Sequence, residues 1–230
     1  MLSAGVGCTI TRGFIMIRST FKINHDSIIR RYVDRSTIMR WFHQTFPNYS
    51  GNLHPRDMVH ALRCVYAYDL TDVNLIKFYG QKDYCSNWYP CTLHIDGHVF
   101  FNVEQYMMWR KALLFKDMKT AEVILHTSNP KECKRLGREV KGFDARDWDE
   151  VKYSIVLKAC KVKFSDENPE LLNWFKSLDK PMFVECSPTD VIWGIGLSKD
   201  DPRVTDMRNW KGQNLLGRVL TEVWDDIKNN

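Results

Sequence analysis

Thr92-Leu-His-Ile-Asp-Gly-His-Val-Phe-Phe-Asn-Val-Glu-Gln-Tyr-Met-Met-Trp-Arg-Lys111 changes character halfway along. Residues 92–101 read as a β-hairpin, because Asp96-Gly97 is the dipeptide that a tight two-residue turn demands. Asn102 with Gln105 is a capping-box pattern, and it opens a helix through Phe115. Working outward, a short strand is expected over 75–79. Asn129-Pro130 starts a helix toward Arg138. Asp147 with Glu150 caps a longer helix from Trp148 to about Phe164. Asn168-Pro169 starts another through Lys176. A strand follows over 183–186, then a glycine-containing loop over 192–197 and a last helix over 215–227. Many helices with a few short strands argue for an α+β domain rather than a doubly wound sheet.

The chain divides near residue 70. Ahead of that point Asp26 caps a helix with Ile28, Ile29, Tyr32 and Val33 on its apolar positions, running to Phe46. Residues 47–52 are a loop by composition, and Pro55 suits the first position of a helix reaching Tyr68. Residues 1–70 are therefore expected to be a helical N-terminal extension, and 71–230 the principal domain.

The 230 residues are 44% hydrophobic and 27% charged, an ordinary globular balance. The net charge of +5 favours phosphate-bearing partners in general. Lys and Arg are spread along the chain, with short clusters such as Arg30-Arg31 and Lys134-Arg135, so no concentrated nucleic-acid footprint stands out. The seven cysteines show no repeated short spacing, which points to a reducing compartment and not a disulfide scaffold. The apolar run Phe14-Ile15-Met16-Ile17 is too short for a signal-peptide core or a membrane span. The expected location is cytoplasmic, with no membrane partner. Nothing in the sequence sets an oligomeric state.

Several chemistries are unsupported. No GxGxxG follows a strand, no GxxxxGK[ST] occurs, and there is no HExxH or Cys/His cluster with zinc spacing. His94 and His98 flank the hairpin turn, where surface histidines are the simpler account; no metal ligands are assigned. Five short segments combine carboxylates with aromatics, glycines or amides. Glu104 lies in a first helical turn, where free N–H groups favour an anion, and a dipole-stabilising role would suffice to explain it. Lys111 follows two turns on, on roughly the same face, after Trp109. Arg138, after a glycine read as ending its helix, suits a bidentate phosphate clamp or a solvated surface. Trp148 reads as a core residue at a helix start. Glu185 ends a strand and Asp190 lies in the following loop. There Trp193 precedes Gly194 and Gly196, which leave room for backbone to approach a ligand. An Asx turn at Asp190 is the alternative. Asn214 is either a cap for the last helix or a ligand-facing amide.

Taken in order, these segments resemble the NADAR family of YbiA-like N-glycosidases, from about Ile76 to Ile227. The matching pieces are Phe78-Tyr79, Cys85-Ser86-Asn87-Trp88, Glu104-Gln105-Tyr106 with Lys111, and Gly137-Arg138. Trp148 with Val151-Lys152, Lys163-Phe164, Glu185, Asp190, Trp193-Gly194 with Gly196, and Asn214-Leu215-Leu216-Gly217 complete them. The chain departs from the usual pattern at Gln105, at Trp88 and in the charged stretch after Gly196.

The resemblance implies a mostly helical α+β domain that binds phosphorylated ribosides or ADP-ribose-like ligands. It implies hydrolysis of N-glycosidic bonds, either in phosphoribosylaminopyrimidine intermediates of riboflavin biosynthesis or in guanine carrying ADP-ribose on a nucleic acid. A non-catalytic NAD or ADP-ribose sensor is the reading from a different class. No cofactor is implied. An oxocarbenium-like transition state calls for a carboxylate near the anomeric carbon and a donor near the leaving base. Glu104 and Asp190 take the carboxylate duties, with Trp148 placed among the catalytic residues. Ser86, Asn87, Lys111, Arg138, Glu185, Trp193, Gly194 and Asn214 are the expected ligand-binding set.

Overall fold

The computed structural model describes residues 74–179, 181–205 and 209–229. The N-terminal extension, its two expected helices and the boundary near residue 70 lie outside the described residues. In chain order the described part forms β1 (Asn74–Phe78), β2 (Leu93–Ile95), β3 (His98–Phe100), α1 (Val103–Leu114), α2 (Met118–Leu125), α3 (Pro130–Arg138), α4 (Ala145–Lys163), α5 (Pro169–Ser177), β4 (Pro181–Glu185), a short 3-10 turn (Pro202–Thr205) and α6 (Leu215–Asn229). Helices with a few short strands make this an α+β domain.

The hairpin forms as its turn chemistry requires. Asp96 and Gly97 both take positive φ, 53° and 77°, and β2 pairs antiparallel with β3. Asp96 also anchors the hairpin tip. Its carboxylate receives Lys158 of α4, and Tyr106 and Arg110 of α1, and these partners hold it at about 2. The two histidines of the hairpin diverge. His94 pairs with Glu167, while His98 packs edge-on against Trp109.

Asn102 caps α1 by accepting from Gln105 N at 2.8 Å. The reciprocal half of the box is shifted by one residue. Gln105 Oε1 accepts from Phe101 N at 2.8 Å, and its Nε2 donates to Ile124 O at 3.0 Å. Gln105 thus ties the hairpin, α1 and α2 together as a fully buried, satisfied amide. α1 is buried from Val103 through Trp109 and packs against α2, α3 and α4, so it is the central helix.

α2 was not anticipated from the sequence. Lys116, at φ 58°, ends α1 in a Schellman arrangement, with Asp117 N bonded to Ala112 O at 2.9 Å and Lys116 N to Leu113 O at 3.0 Å. Asp117 then caps α2 at once, accepting from Thr120 N at 3.2 Å. A stop and a start two residues apart leave no loop-like composition to read. The start of α4 also differs from expectation. Asp144 is the cap, accepting from Arg146 N and Asp147 N at 2.9 and 3.0 Å, and Asp147 sits in the first turn. Asn168 lends no side-chain cap to α5; it binds the backbone of Thr92 through both amide atoms, at 3.0 and 2.8 Å.

β1 and β4 pair in parallel, from Asn74↔Pro181 to Phe78↔Glu185. Phe164, Phe175 and Phe183 stack beneath them, with centroid spacings of 4.0 and 5.2 Å. Among the described residues no helix is long and apolar enough to cross a membrane, and the five described cysteines are free thiols.

Candidate active site

Four segments converge on one cleft of about 180 Å³: the loop after β1, one face of α1, the last turns of α3, and the end of β4 with its following loop. That volume is many times what a single water needs, so the cleft is no packing defect. Each wall has a local reason for its position. Ser86 O accepts from Lys163 Nζ at 2.7 Å, and Asn87 O accepts from Glu104 N at 3.0 Å, which clamps the first loop between α4 and α1. Lys163 is fully buried, and burial pushes its pKa down. On α1, Glu104, Met107, Met108 and Lys111 share one helical face. On α3, Lys134, Gly137 and Arg138 do the same.

α1 and α3 approach so closely that Gly137 has no room for a side chain. A Cβ there would lie 1.9 Å from Met108 Sδ and 3.2 Å from Met108 Cβ. Gly137 is inside the helix, so it provides close packing and not the helix end expected from the sequence. Gly137→Ala should lower stability by about 1–3 kcal/mol through overpacking, read as a fall in the thermal midpoint, because Met108 cannot withdraw its own Cβ.

The third wall depends on β4 and the loop beyond it. Glu185 N donates to Asn214 Oδ1 at 3.0 Å, and Asn214 Nδ2 donates to Phe183 O at 2.9 Å. Ile195 N closes on Glu185 O at 2.9 Å. Asp190 forms an Asx turn, its Oδ1 accepting from Ile192 N and Trp193 N at 3.0 and 2.9 Å. Its Oδ2 faces Lys134 Nζ at 3.7 Å.

Three carboxylates therefore share the cleft with three cations. Burial pushes Glu104 up to about 7; the Asp190 charge adds to this, while Lys134, the nearby Trp88 and Arg138 oppose it. Burial also pushes Glu185 up to about 8, helped by Asp190 and Glu104 and opposed by Lys134. Burial lowers Lys111, with Glu104 pulling the other way. Asn87 Oδ1, Glu104 Oε1 and Glu185 Oε2 are buried with no hydrogen-bond partner among the described residues. All three are acceptors, so a proton kept on a carboxyl group is the donor this end of the cleft is short of.

The structure brings together Ser86, Asn87, Glu104, Lys111, Arg138, Glu185, Asp190 and Trp193 from the expected set. It leaves three outside. Trp148 is buried in the core, one layer behind Lys111, whose Nζ lies 5.9 Å from its ring. Gly194 is taken up by the chain itself, since a Cβ there would lie 2.9 Å from Glu185 O and from Ser187 Cβ. Asn214 is neither a side-chain cap nor a ligand-facing amide; it bolts β4 to the start of α6. Lys111 donates to Gly137 O at 2.7 Å from within the cleft, so Arg138 and Lys134 are the more accessible cations. Lys134 was visible in the sequence only as a basic cluster. Its signal was helical spacing, one turn before Arg138 on the same face. Of the two single-residue departures, Trp88 lines the cleft and Gln105 does not. Among the described residues no group of three or more His, Cys, Asp or Glu is placed to hold a metal ion.

This geometry sits inside a recognised family. The NADAR domain model matches residues 77–228, and the chain belongs to that family. An N-glycosidase of Acanthamoeba polyphaga mimivirus is 38% identical over 146 residues, 61% of this chain and 85% of its own length. The chloroplastic riboflavin biosynthesis protein PYRR of Zea mays is 27% identical over 228 residues, 92% of this chain and 34% of the maize protein. The NMR structure of E. coli YbiA superposes with a TM-score of 0.56 at 27% identity, covering 68% of this chain and 86% of YbiA. The family so represented includes hydrolases of N-glycosyl bonds.

Proposed function

We propose that the chain hydrolyses the N-glycosidic bond between a phosphorylated ribose and a base, with phosphoribosylaminopyrimidine intermediates of riboflavin biosynthesis as its substrates. One observation carries the reading: Glu104 of α1, and Glu185 and Asp190 from the end of β4 and its following loop, converge on one cleft with Lys134 and Arg138. The kinship with named N-glycosidases and with a riboflavin biosynthesis protein supports the reaction and the substrate class.

In this scheme a carboxylate beside the anomeric carbon stabilises the positive charge that develops on the ribose and orients water toward it. Asp190 suits that task, because two backbone N–H groups fix its Oδ1 while its Oδ2 lies beside Lys134. Glu104 is the second carboxylate at the reacting centre. Arg138 and Lys134 receive the phosphate, and Trp88 and Trp193 flank the base. A sensor that only binds NAD or ADP-ribose would have no use for three converging carboxylates.

The test is hydrolysis of two substrates side by side: a phosphoribosylaminopyrimidine, and an oligonucleotide bearing ADP-ribosylated guanine. The expected result is release of free base from the first. Cleavage of the oligonucleotide alone would move the substrate to nucleic acid. Binding of ADP-ribose with no cleavage of either would replace the enzyme with a sensor.

A further inference from the structure

We propose that Glu185 is the acid of the reaction, delivering its proton to the departing nitrogen. This rests on the N-glycosidase reading above and assigns the one role that reading leaves open. The three carboxylates differ in what surrounds them. Asp190 accepts from Ile192 N and Trp193 N and faces Lys134 at 3.7 Å. Glu104, whose Oε1 is also buried without a partner, stands in the first turn of α1, where the free N–H groups work against the effect of burial. Glu185 accepts from no donor among the described residues, and its Oε2 is buried without a partner.

The charged groups facing it are Asp190 on its own loop, Glu104 and Lys111 on α1, and Lys134 and Arg138 on α3. Like charges in one cleft favour a proton on one member, and Glu185, at a strand end with neither a side-chain partner nor a helix N-terminus beside it, holds it most tightly. The shift of Glu185 to about 8 lies in the same direction.

The backbone holds this acid in place. Glu185 N is tied to Asn214, Glu185 O to Ile195 N, and Gly194 packs against the same carbonyl with no room for a Cβ. Register with Phe78 fixes the strand end. The side chain alone projects into the cleft, so the carboxyl can exchange a proton without displacing the wall. In the reaction the oxygen of water bonds to the anomeric carbon as the carbon–nitrogen bond breaks. The bonding pair leaves with nitrogen, which takes the Glu185 proton. The proton released by water passes to Asp190, and exchange with solvent restores both groups.

An acid is needed in proportion to how poor the leaving group is. Wild type and Glu185→Gln are therefore compared on two substrates: a phosphoribosylaminopyrimidine, and p-nitrophenyl ribofuranoside 5-phosphate, whose phenolate departs without a proton. The expected result is a loss of about a hundredfold or more on the aminopyrimidine, with the p-nitrophenyl substrate turned over within a few-fold of wild type. Wild-type turnover of the aminopyrimidine should also fall as pH rises past about 8, and that limb should be missing in Glu185→Gln. Equal losses on both substrates would make Glu185 a structural residue, and no loss on either would remove it from the chemistry. Both results overturn the proposal and leave the glycosidase reading standing. A wild type inert on both substrates overturns the glycosidase reading itself.

Discussion

Asp190→Asn should leave the fold in place and lower turnover by about a hundredfold or more. The substitution separates two duties that one side chain performs. As an Asx-turn residue, Asp190 holds the loop through Oδ1, which accepts from Ile192 N and Trp193 N. Asparagine keeps that carbonyl oxygen, so Trp193 and the cleft wall should stay where they are. What disappears is the negative charge beside the anomeric carbon, together with the acceptor that takes a proton from water. The loss should fall on kcat, with KM for the phosphorylated substrate changed little, because Arg138 and Lys134 remain. A thermal midpoint close to wild type, combined with collapsed kcat, is the expected pattern. Unchanged turnover would remove Asp190 from the chemistry and make its Asx turn its whole role.

Glu104→Gln should both inactivate the enzyme and stabilise it, and the stabilisation should depend on pH. Glu104 is 4% exposed, and burial raises its pKa from 4.5 to about 7. The unfolded chain gives up this proton near pH 4.5, while the folded chain holds it to about 7. Folding therefore opposes ionisation, and the cost grows between those two values. Above pH 7 it is complete, on the order of 3 kcal/mol at about 1.4 kcal/mol per pH unit. Glutamine carries no such cost. At pH 8 the variant should melt several degrees higher than wild type, and at pH 4 the two should coincide. Turnover should fall about a hundredfold or more at both ends of the enzyme's working range. A variant that melts lower at pH 8 would show that Glu104 is not under strain from burial. Stability gained by neutralising a buried carboxyl is the usual trade at a site built for chemistry.

The legible parts of this protein are those governed by neighbours within a turn or two. Asp96-Gly97 specifies its hairpin, because only that kind of pair tolerates two positive φ values in succession. Asn102, Asn129 and Pro130 mark their helix starts, because the first N–H groups of a helix need an acceptor or a missing donor. Glu104 and Lys111 could be placed on one face from spacing alone. Where the local signals collide, the reading fails. The end of α1 and the start of α2 share Lys116 and Asp117, so an eight-residue helix went unseen. Asp144 and Asp147 are both acceptable caps, and only the path of the chain chooses the first.

The roles within the site divide the same way. Sequence order could gather the candidate residues through resemblance to a family, and most of them do meet at one cleft. It could not say which residues face a ligand and which support those that do. Trp148 supports Lys111 from the core, and Asn214 holds Glu185 from behind. Lys134 becomes a cleft cation only because α3 packs against α1 through Gly137 and Met108. Local sequence sets where helices begin and turns reverse, since those depend on hydrogen bonds made within a few residues. Tertiary packing sets which carboxylates share one low-dielectric cleft. β1 and β4 lie more than a hundred residues apart, and their pairing brings Glu185 and Asp190 to the same cleft as Glu104. The proton affinities of these groups follow from that meeting, because burial and mutual repulsion belong to the folded chain and to no stretch of it alone.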